Sequence, residues 1–107
     1  MFDIQSVSQR YFEVKLSITN DIGEVEKSIV VEAEPPKMKV LKRLMKISKS
    51  KENSMEELTE CINLILNKNK KKQTIPEAYI DDLDFDQMSS LLTSYFEWLS
   101  ETKNLPN

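Results

Sequence analysis

Alternating apolar and polar residues predict a β-hairpin in the N-terminal third of the chain. Every second residue is apolar between positions 12 and 19, and a second alternation follows between positions 25 and 33, as half-buried strands require. The run Asn-Asp-Ile-Gly at 20–23 has the composition of a tight turn. We therefore expect an antiparallel hairpin over residues 10–34. On its second strand the predicted inner face holds Val25, Ile29, Val31 and Ala33 together with Lys27.

Residues 1–9 show no clear hydrophobic period and are predicted to form a flexible arm. The segment contains the large apolar residues Phe2, Ile4 and Val7. Their side chains leave a second interpretation open, in which the arm docks on the domain or on a partner.

After the hairpin the hydrophobic period becomes helical. Pro35 and Pro36 end the strand pairing because neither can donate a backbone hydrogen bond, whereas Pro36 can begin a helix without that cost. From position 37 to about 49, a projection at about 100° per residue groups the apolar side chains Met38, Leu41, Leu44 and Met45. The other side, called here the basic face, carries Lys39, Lys42, Arg43 and Lys46.

The remaining apolar stripes predict two further helices and a short helical piece. Ser54 and Glu57 match a capping box, and the stripe behind them holds Met55, Leu58, Cys61, Ile62, Ile65 and Leu66. The self-repelling, Lys-rich run at 67–73 predicts an exposed loop. A short helical piece follows, bearing Ala78, Tyr79 and Leu83. Asp84 is expected to cap a final helix that ends near Thr102, with the stripe Met88, Leu91, Leu92, Tyr95 and Leu99.

These elements predict an α+β fold. At 107 residues the chain fits a single domain, 1–107. A two-stranded hairpin is marginal alone, so its apolar face must pack against helices. We expect an N-terminal antiparallel β-hairpin packed on three to four α-helices, with the helical part at 37–103. The outer edges of the hairpin stay open to strand addition from another chain.

Composition argues against most enzyme chemistry. The chain has no histidine, one glycine and one cysteine, so the commonest general base and a glycine-rich phosphate loop are both missing. Cys61 lies in an apolar stripe and is interpreted as a structural thiol. The aspartates Asp81, Asp82, Asp84 and Asp86 lack the spacing of a calcium loop. We therefore predict no catalytic residues, no metal and no cofactor. No stretch suggests a membrane span or a signal peptide, so a cytosolic location is expected.

Charge is distributed unevenly along the chain. The net charge is −3, yet 37–51 carries seven basic residues and no acid, whereas 75–102 carries only acids. Three interpretations of the basic face stay open: a solvated helix face, a nucleic-acid surface, and a surface that meets the acidic segment of another subunit. The acidic total and the absence of aromatic residues among the lysines disfavour nucleic acid. On the last helix, Phe96 and Trp98 widen the apolar stripe and serve either as core packing or as anchors for a partner.

The C-terminal two-thirds carries a family resemblance. The stretch PEAYIDDLDFDQMSSLLTSYFEWLSETKNLPN and the preceding SMEELTECINLILNKN resemble tail assembly chaperones of long-tailed bacteriophages and prophages of Gram-positive bacteria. The similar features are the D-x-D-Q turn into a helix, the FEWL segment and the asparagine-ended tail, within residues 37–107. None of these features is a catalytic signature.

The resemblance implies a non-enzymatic protein that binds the tape-measure protein and helps recruit tail-tube subunits in the host bacterial cytoplasm. Such a protein is absent from the finished virion. The family also implies a longer form made by ribosomal frameshifting near the end of the short reading frame, and this chain would be the short form. The residues Thr102-Lys103-Asn104 can be encoded by a slippery heptamer at which such a frameshift occurs. On this hypothesis the basic face, with Phe96 and Trp98, contacts the partner or neighbouring subunits in a homo-oligomer. The alternative hypothesis is a small phage or plasmid DNA-binding regulator that uses the basic helix 37–51, although the helix pair 37–66 lacks the short glycine-containing turn of a helix-turn-helix.

Overall fold

A β-hairpin followed by four α-helices makes up the part of the chain that the structure, a computed structural model, describes: residues 1–49 and 54–101. This arrangement confirms the predicted α+β class. The predicted continuation of the first helix to 51 and the tail from Thr102 onward lie outside the described residues. The elements are β1 (Phe12–Thr19), β2 (Val25–Ala33), α1 (Met38–Lys49), α2 (Met55–Leu66), α3 (Glu77–Asp81) and α4 (Phe85–Ser100).

The hairpin is closed by a turn that depends on one asparagine and one glycine. The Asn20 side chain accepts hydrogen bonds from the backbone of Ile22 and Glu24 at 3.1 and 2.9 Å. Gly23 has φ +85°, a conformation that costs glycine little.

A bulge next to the turn corrects one sequence prediction. Ile18 pairs with Lys27 and Thr19 pairs with Val25, so Glu26 is an extra residue on β2. A bulge reverses the face of the residues beyond it. Val25 is consequently exposed, and the prediction that it lies on the inner face is wrong.

Side-chain caps start two helices where the sequence predicts them. Ser54 Oγ accepts a hydrogen bond from the Glu57 amide at 3.1 Å at the start of α2. At the start of α4, Asp84 accepts from the Gln87 amide at 2.7 Å while the Gln87 side chain accepts from the Asp84 amide at 2.9 Å. Each cap satisfies a backbone donor that has no partner inside the helix. The reciprocal capping box is present at α4, whereas at α2 the Glu57 carboxylate accepts from the Ser54 hydroxyl at 3.5 Å.

The core lies where the inner face of the hairpin meets α2 and α4. Tyr95 of α4 is fully buried at its centre, and its ring meets Phe12 of β1 edge-on with 5.5 Å between ring centroids. The hydroxyl of Tyr95 donates a hydrogen bond to the Glu34 carbonyl at 3.4 Å. The hydrophobic side chains buried to 2% exposure or less that accompany Tyr95 are Val31, Ala33, Leu44, Cys61, Ile62, Ile65, Leu66 and Met88.

The buried face of α1 differs from the predicted one. Leu44 and Ile47 are buried, whereas Met38 and Met45 are 64% and 41% exposed. Leu44 and Ile47 are three positions apart, so they lie on the same face of α1. This is the face that packs against α2. Met38 and Met45, which the helical projection groups with Leu44, are thus not part of the buried face, and Met55 of the α2 stripe is exposed as well.

The Lys-rich loop at 67–73 is not exposed throughout, because Asn69 at its centre is 1% exposed. Its amide group donates hydrogen bonds to the carbonyls of Leu66 and Gln73, both at 2.8 Å, and accepts one from the Gln73 amide at 3.0 Å. The loop also pairs with the outer edge of β2, with Glu34 N to Lys68 O at 2.8 Å and Lys70 N to Glu32 O at 2.9 Å. The prediction of an exposed loop is wrong at Asn69, and Lys68 is half-buried, whereas the other residues of the loop are exposed.

Candidate functional site

The basic face of α1 lies on the surface of the domain. All four of its residues, Lys39, Lys42, Arg43 and Lys46, are exposed. Arg43 differs from the others because its guanidinium forms an ion pair with Glu60 of α2, with 3.0 Å between Nε and Oε1. Among the described residues, no ion pair involves Lys39, Lys42 or Lys46. The positive charge of these three lysines is therefore available to a partner.

Two exposed methionines border the basic face. Met38 and Met45 are seven residues apart, which places them one above the other on α1. Lys42 follows Met38 by four residues, so it lies beside this pair. Methionine side chains are flexible and polarizable and adapt to different apolar surfaces. The outward surface of α1 thus combines apolar contact area with a row of unpaired positive charges.

Trp98 belongs to the packing of the domain. It is half-buried, and its ring lies 5.6 Å from the Phe12 ring and 5.7 Å from the Tyr95 ring. The guanidinium of Arg10 lies 4.0 Å from the centre of the indole ring. These contacts join the start of β1 to the end of α4, so the core-packing interpretation of Trp98 is the one the structure favours.

Phe96 lies on a different side of α4. Its ring borders a groove of about 180 Å³ between α1, α2 and α4. Other residues lining this groove are Leu44, Ile47, Leu58 and Leu92. The structure therefore brings Phe96 next to α1 and leaves Trp98 at β1, so the six residues of the predicted partner surface do not form one continuous patch.

Arg10 is a structurally important residue that sequence reasoning missed. Its Nη1 and Nη2 atoms donate hydrogen bonds to the carbonyls of Trp98 and Leu99 at 2.8 and 3.1 Å. A helix C-terminus has unpaired carbonyls and a partial negative charge, so a guanidinium there is favourable on both counts. No local sequence pattern indicates this role of Arg10, because its hydrogen-bond partners are 88 and 89 residues away in the chain.

Three ionizable groups that the sequence offers for chemistry, Cys61, Asp82 and Asp84, have structural surroundings. Burial raises the pKa of the Cys61 thiol above its ordinary value, and the nearby Glu60 carboxylate raises it further. A thiol held in its protonated form is a poor nucleophile. Asp82 and Asp84 are engaged in structural roles, because Asp82 accepts from the Thr19 amide at 3.2 Å and Asp84 caps α4. Residues 1–49 and 54–101 contain no group of three or more His, Cys, Asp or Glu that could hold a metal ion.

None of the helices in the described ranges combines the length and the apolar character of a bilayer-spanning segment. Comparison of the chain with protein-family models, with curated proteins and with solved structures gave no match.

Proposed function

We propose that this protein is a non-enzymatic tail assembly chaperone of a long-tailed bacteriophage or prophage, and that it binds the tape-measure protein and helps recruit tail-tube subunits. One observation carries the proposal: Lys39, Lys42 and Lys46 are exposed and without ion pairs in the described part of the chain, next to the exposed side chains of Met38 and Met45. The sequence resemblance in residues 37–107 supplies the biological context.

The outward surface of α1 suits a partner helix. An amphipathic helix has an apolar stripe flanked by charged residues, and it docks on a surface with the complementary pattern. On α1, Met38 and Met45 offer the apolar contact. The lysine row favours acidic residues beside the partner's apolar stripe and repels basic ones. A tape-measure protein is long and helical, so it would present many such stripes before assembly.

The proposed activity is solubilization during assembly. Covering apolar stripes of the partner prevents their self-association. The net charge of −3 of each bound copy keeps the coated complexes apart in solution. In this proposal the chain acts in the host bacterial cytoplasm, is the short form of a frameshifted pair, and is released before the virion is complete.

Co-expression tests the proposal directly. The long helical protein encoded next to this chain is produced with and without it, and the soluble fraction is analysed by size-exclusion chromatography with light scattering. We expect the long protein to be soluble only in the co-expression, and to co-elute with several copies of the chain. A long protein that stays insoluble and never co-elutes contradicts the proposal.

A matched pair of variants locates the interaction. Lys42→Glu with Lys46→Glu reverses two charges on α1, and Lys27→Glu with Lys71→Glu makes the same charge change at exposed positions elsewhere. We expect only the α1 variant to lose co-elution. The same lysine row also suits a DNA-binding regulator. Duplex DNA bound by the wild type with a steep salt dependence, and lost in the α1 variant, would support that alternative.

A further inference from the structure

Within residues 1–49 and 54–101, the outer edge of β1 offers backbone groups without hydrogen-bond partners. In an antiparallel pair, the N–H and C=O of each residue point to the same side and alternate in direction along the strand. Glu32 and Glu34 direct theirs toward the loop at 68–70, away from β1. Because Glu13 pairs with Glu32, the main-chain groups of Glu13 point away from β2. By the same alternation, the main-chain groups of Lys15 and Ser17 also point away from β2. Thr19 follows in this alternation, and its amide donates a hydrogen bond to the Asp82 carboxylate.

A groove runs beside this edge. It has a volume of about 400 Å³ and lies between the middle of β1 and the first turns of α4. Val14, Leu16, Leu83 and Leu91 contribute its apolar wall, and Lys15 lies at its strand side. A strand added to an open edge places every second side chain against the inner layer. The groove is located where such side chains would enter.

The N-terminal arm has the matching pattern. Phe2 and Ile4 are 74% and 68% exposed, and their spacing of two puts them on the same side of an extended strand. In the structure the arm forms a single 3-10 turn over Ile4–Ser6, capped by Asp3, and none of the residues in this turn is buried. Such a short turn is easily exchanged for another conformation.

We propose that the arm of one copy of this chain adds as an antiparallel strand to the β1 edge of a second copy, with Asp3 opposite Lys15 and with Phe2 and Ile4 in the groove beside β1. Lys15 is exposed between the buried residues Val14 and Leu16, so its side chain and that of the residue opposite lie on the outer face of the sheet. In that position Asp3 lies opposite the positive charge of Lys15. Because side chains alternate along a strand, Phe2 and Ile4 then point to the inner face, where the groove lies. This pairing is independent of the basic face of α1.

Exchange between copies is favoured over folding back within one copy. The fold-back pairing of Asp3 with Lys15 would need a three-residue turn at 8–10, where the sequence has Ser-Gln-Arg and no glycine for the left-handed position. Arg10 is also held at the end of α4 by two hydrogen bonds. The donor copy keeps its own groove open. That groove accepts either the arm of its first partner, which closes a two-fold dimer, or the arm of a third copy, which yields rings or open chains of subunits.

Cysteine cross-linking distinguishes the two arrangements. A chain with Asp3→Cys is mixed with a chain carrying Lys15→Cys and oxidized mildly, while the native Cys61 is buried. Asp21→Cys at the hairpin tip replaces Asp3→Cys in the control mixture. We expect cross-linked dimers of the two chains to form at least about tenfold faster in the first mixture, because strand pairing brings the two positions within disulfide range. Equal rates in the two mixtures overturn the proposal. A chain that carries both Asp3→Cys and Lys15→Cys and forms the disulfide within itself also overturns it.

Self-association gives the second readout. Light scattering at increasing concentration should show the wild type growing beyond a monomer. Phe2→Ser with Ile4→Ser removes both anchors and should weaken association on the order of a hundredfold, whereas Ile22→Ser, at a residue 78% exposed in the hairpin turn, should not change it. Asp3→Lys should weaken association by a few fold, and Lys15→Asp added to it should restore it. A wild type that stays monomeric throughout overturns the proposal.

Discussion

Arg10 and Trp98 connect the two ends of the described fold. The guanidinium of Arg10 lies 4.0 Å from the centre of the Trp98 ring and donates a hydrogen bond of 2.8 Å to the Trp98 carbonyl. A residue just before the first strand therefore closes the last helix, through a cation–π contact and a C-terminal cap together. The hairpin and α4 are joined at this point by more than apolar packing.

Replacing Arg10 should destabilise the domain. In Arg10→Ala two helix-end carbonyls and the indole face lose their cationic partner, so we expect the free energy of unfolding to fall by about 2 kcal/mol. Arg10→Lys keeps the charge but not the two-donor geometry, and should lose about half as much. Urea unfolding followed by circular dichroism measures both. Equal stability of the wild type and the alanine variant would show that the cap contributes nothing.

Asn69 should be the most sensitive residue of its loop. Asn69→Ala leaves the carbonyls of Leu66 and Gln73 and the amide of Gln73 without their partner, which should cost about 2–3 kcal/mol. Asn69→Asp keeps the acceptor but places a charge where two donors were, so it should not restore stability. Lys71→Ala, at an exposed neighbour, should change stability by less than about 0.5 kcal/mol. A loop that tolerates all three changes equally contradicts the buried role of Asn69.

The parts of the fold that sequence reasoning predicts are those governed by local contacts. The hairpin follows from the alternation of apolar and polar residues and from the turn at Asn20–Gly23. The starts of α2 and α4 follow from capping hydrogen bonds between residues only three positions apart. The buried line of α1 could not be predicted, because its sequence offers two adjacent apolar lines and only the position of α2 selects the one through Leu44 and Ile47.

Long-range partners explain the other omissions. In the sequence, Asn69 resembles any polar residue of a lysine-rich run. Its loop nevertheless pairs with Glu32 of β2 and with Glu34 just after that strand, more than thirty residues earlier in the chain. For the candidate site, the exposure of the basic face agrees with the helical projection. The pairing of Arg43 with Glu60 on another helix does not follow from any local pattern.

Stability should fall at alkaline pH. Burial raises the pKa of the Cys61 thiol above its ordinary 9.0 and that of the Tyr95 hydroxyl above its ordinary 10.0. Once pH passes about 9, the unfolded chain releases these protons while the folded chain retains them, so the free energy of unfolding decreases as pH rises. Below the ordinary values both contributions are fully present.

Unfolding measured at several pH values tests this dependence. Each group contributes a slope of up to about 1.4 kcal/mol per pH unit in the range between its unfolded and folded pKa. Cys61→Ala should remove one such contribution above about pH 9, and Tyr95→Phe should remove the other above about pH 10. Slopes that are the same in the wild type and in both variants would mean that neither group remains protonated through burial.

The ion pair of Arg43 separates stability from partner binding on α1. Arg43→Glu faces Glu60 with a like charge and should lower the free energy of unfolding by about 0.5 kcal/mol, the usual size for a surface pair. Adding Glu60→Lys restores an opposite-charge pair and should recover that loss.

Lys42→Glu has no such partner in the described residues, so it should leave the free energy of unfolding unchanged while weakening co-elution with the partner. Because the double variant Arg43→Glu, Glu60→Lys regains stability with a negative charge still on α1, it should bind as weakly as Lys42→Glu. Full binding by the stable double variant would show that Arg43 serves only to hold α1 on α2.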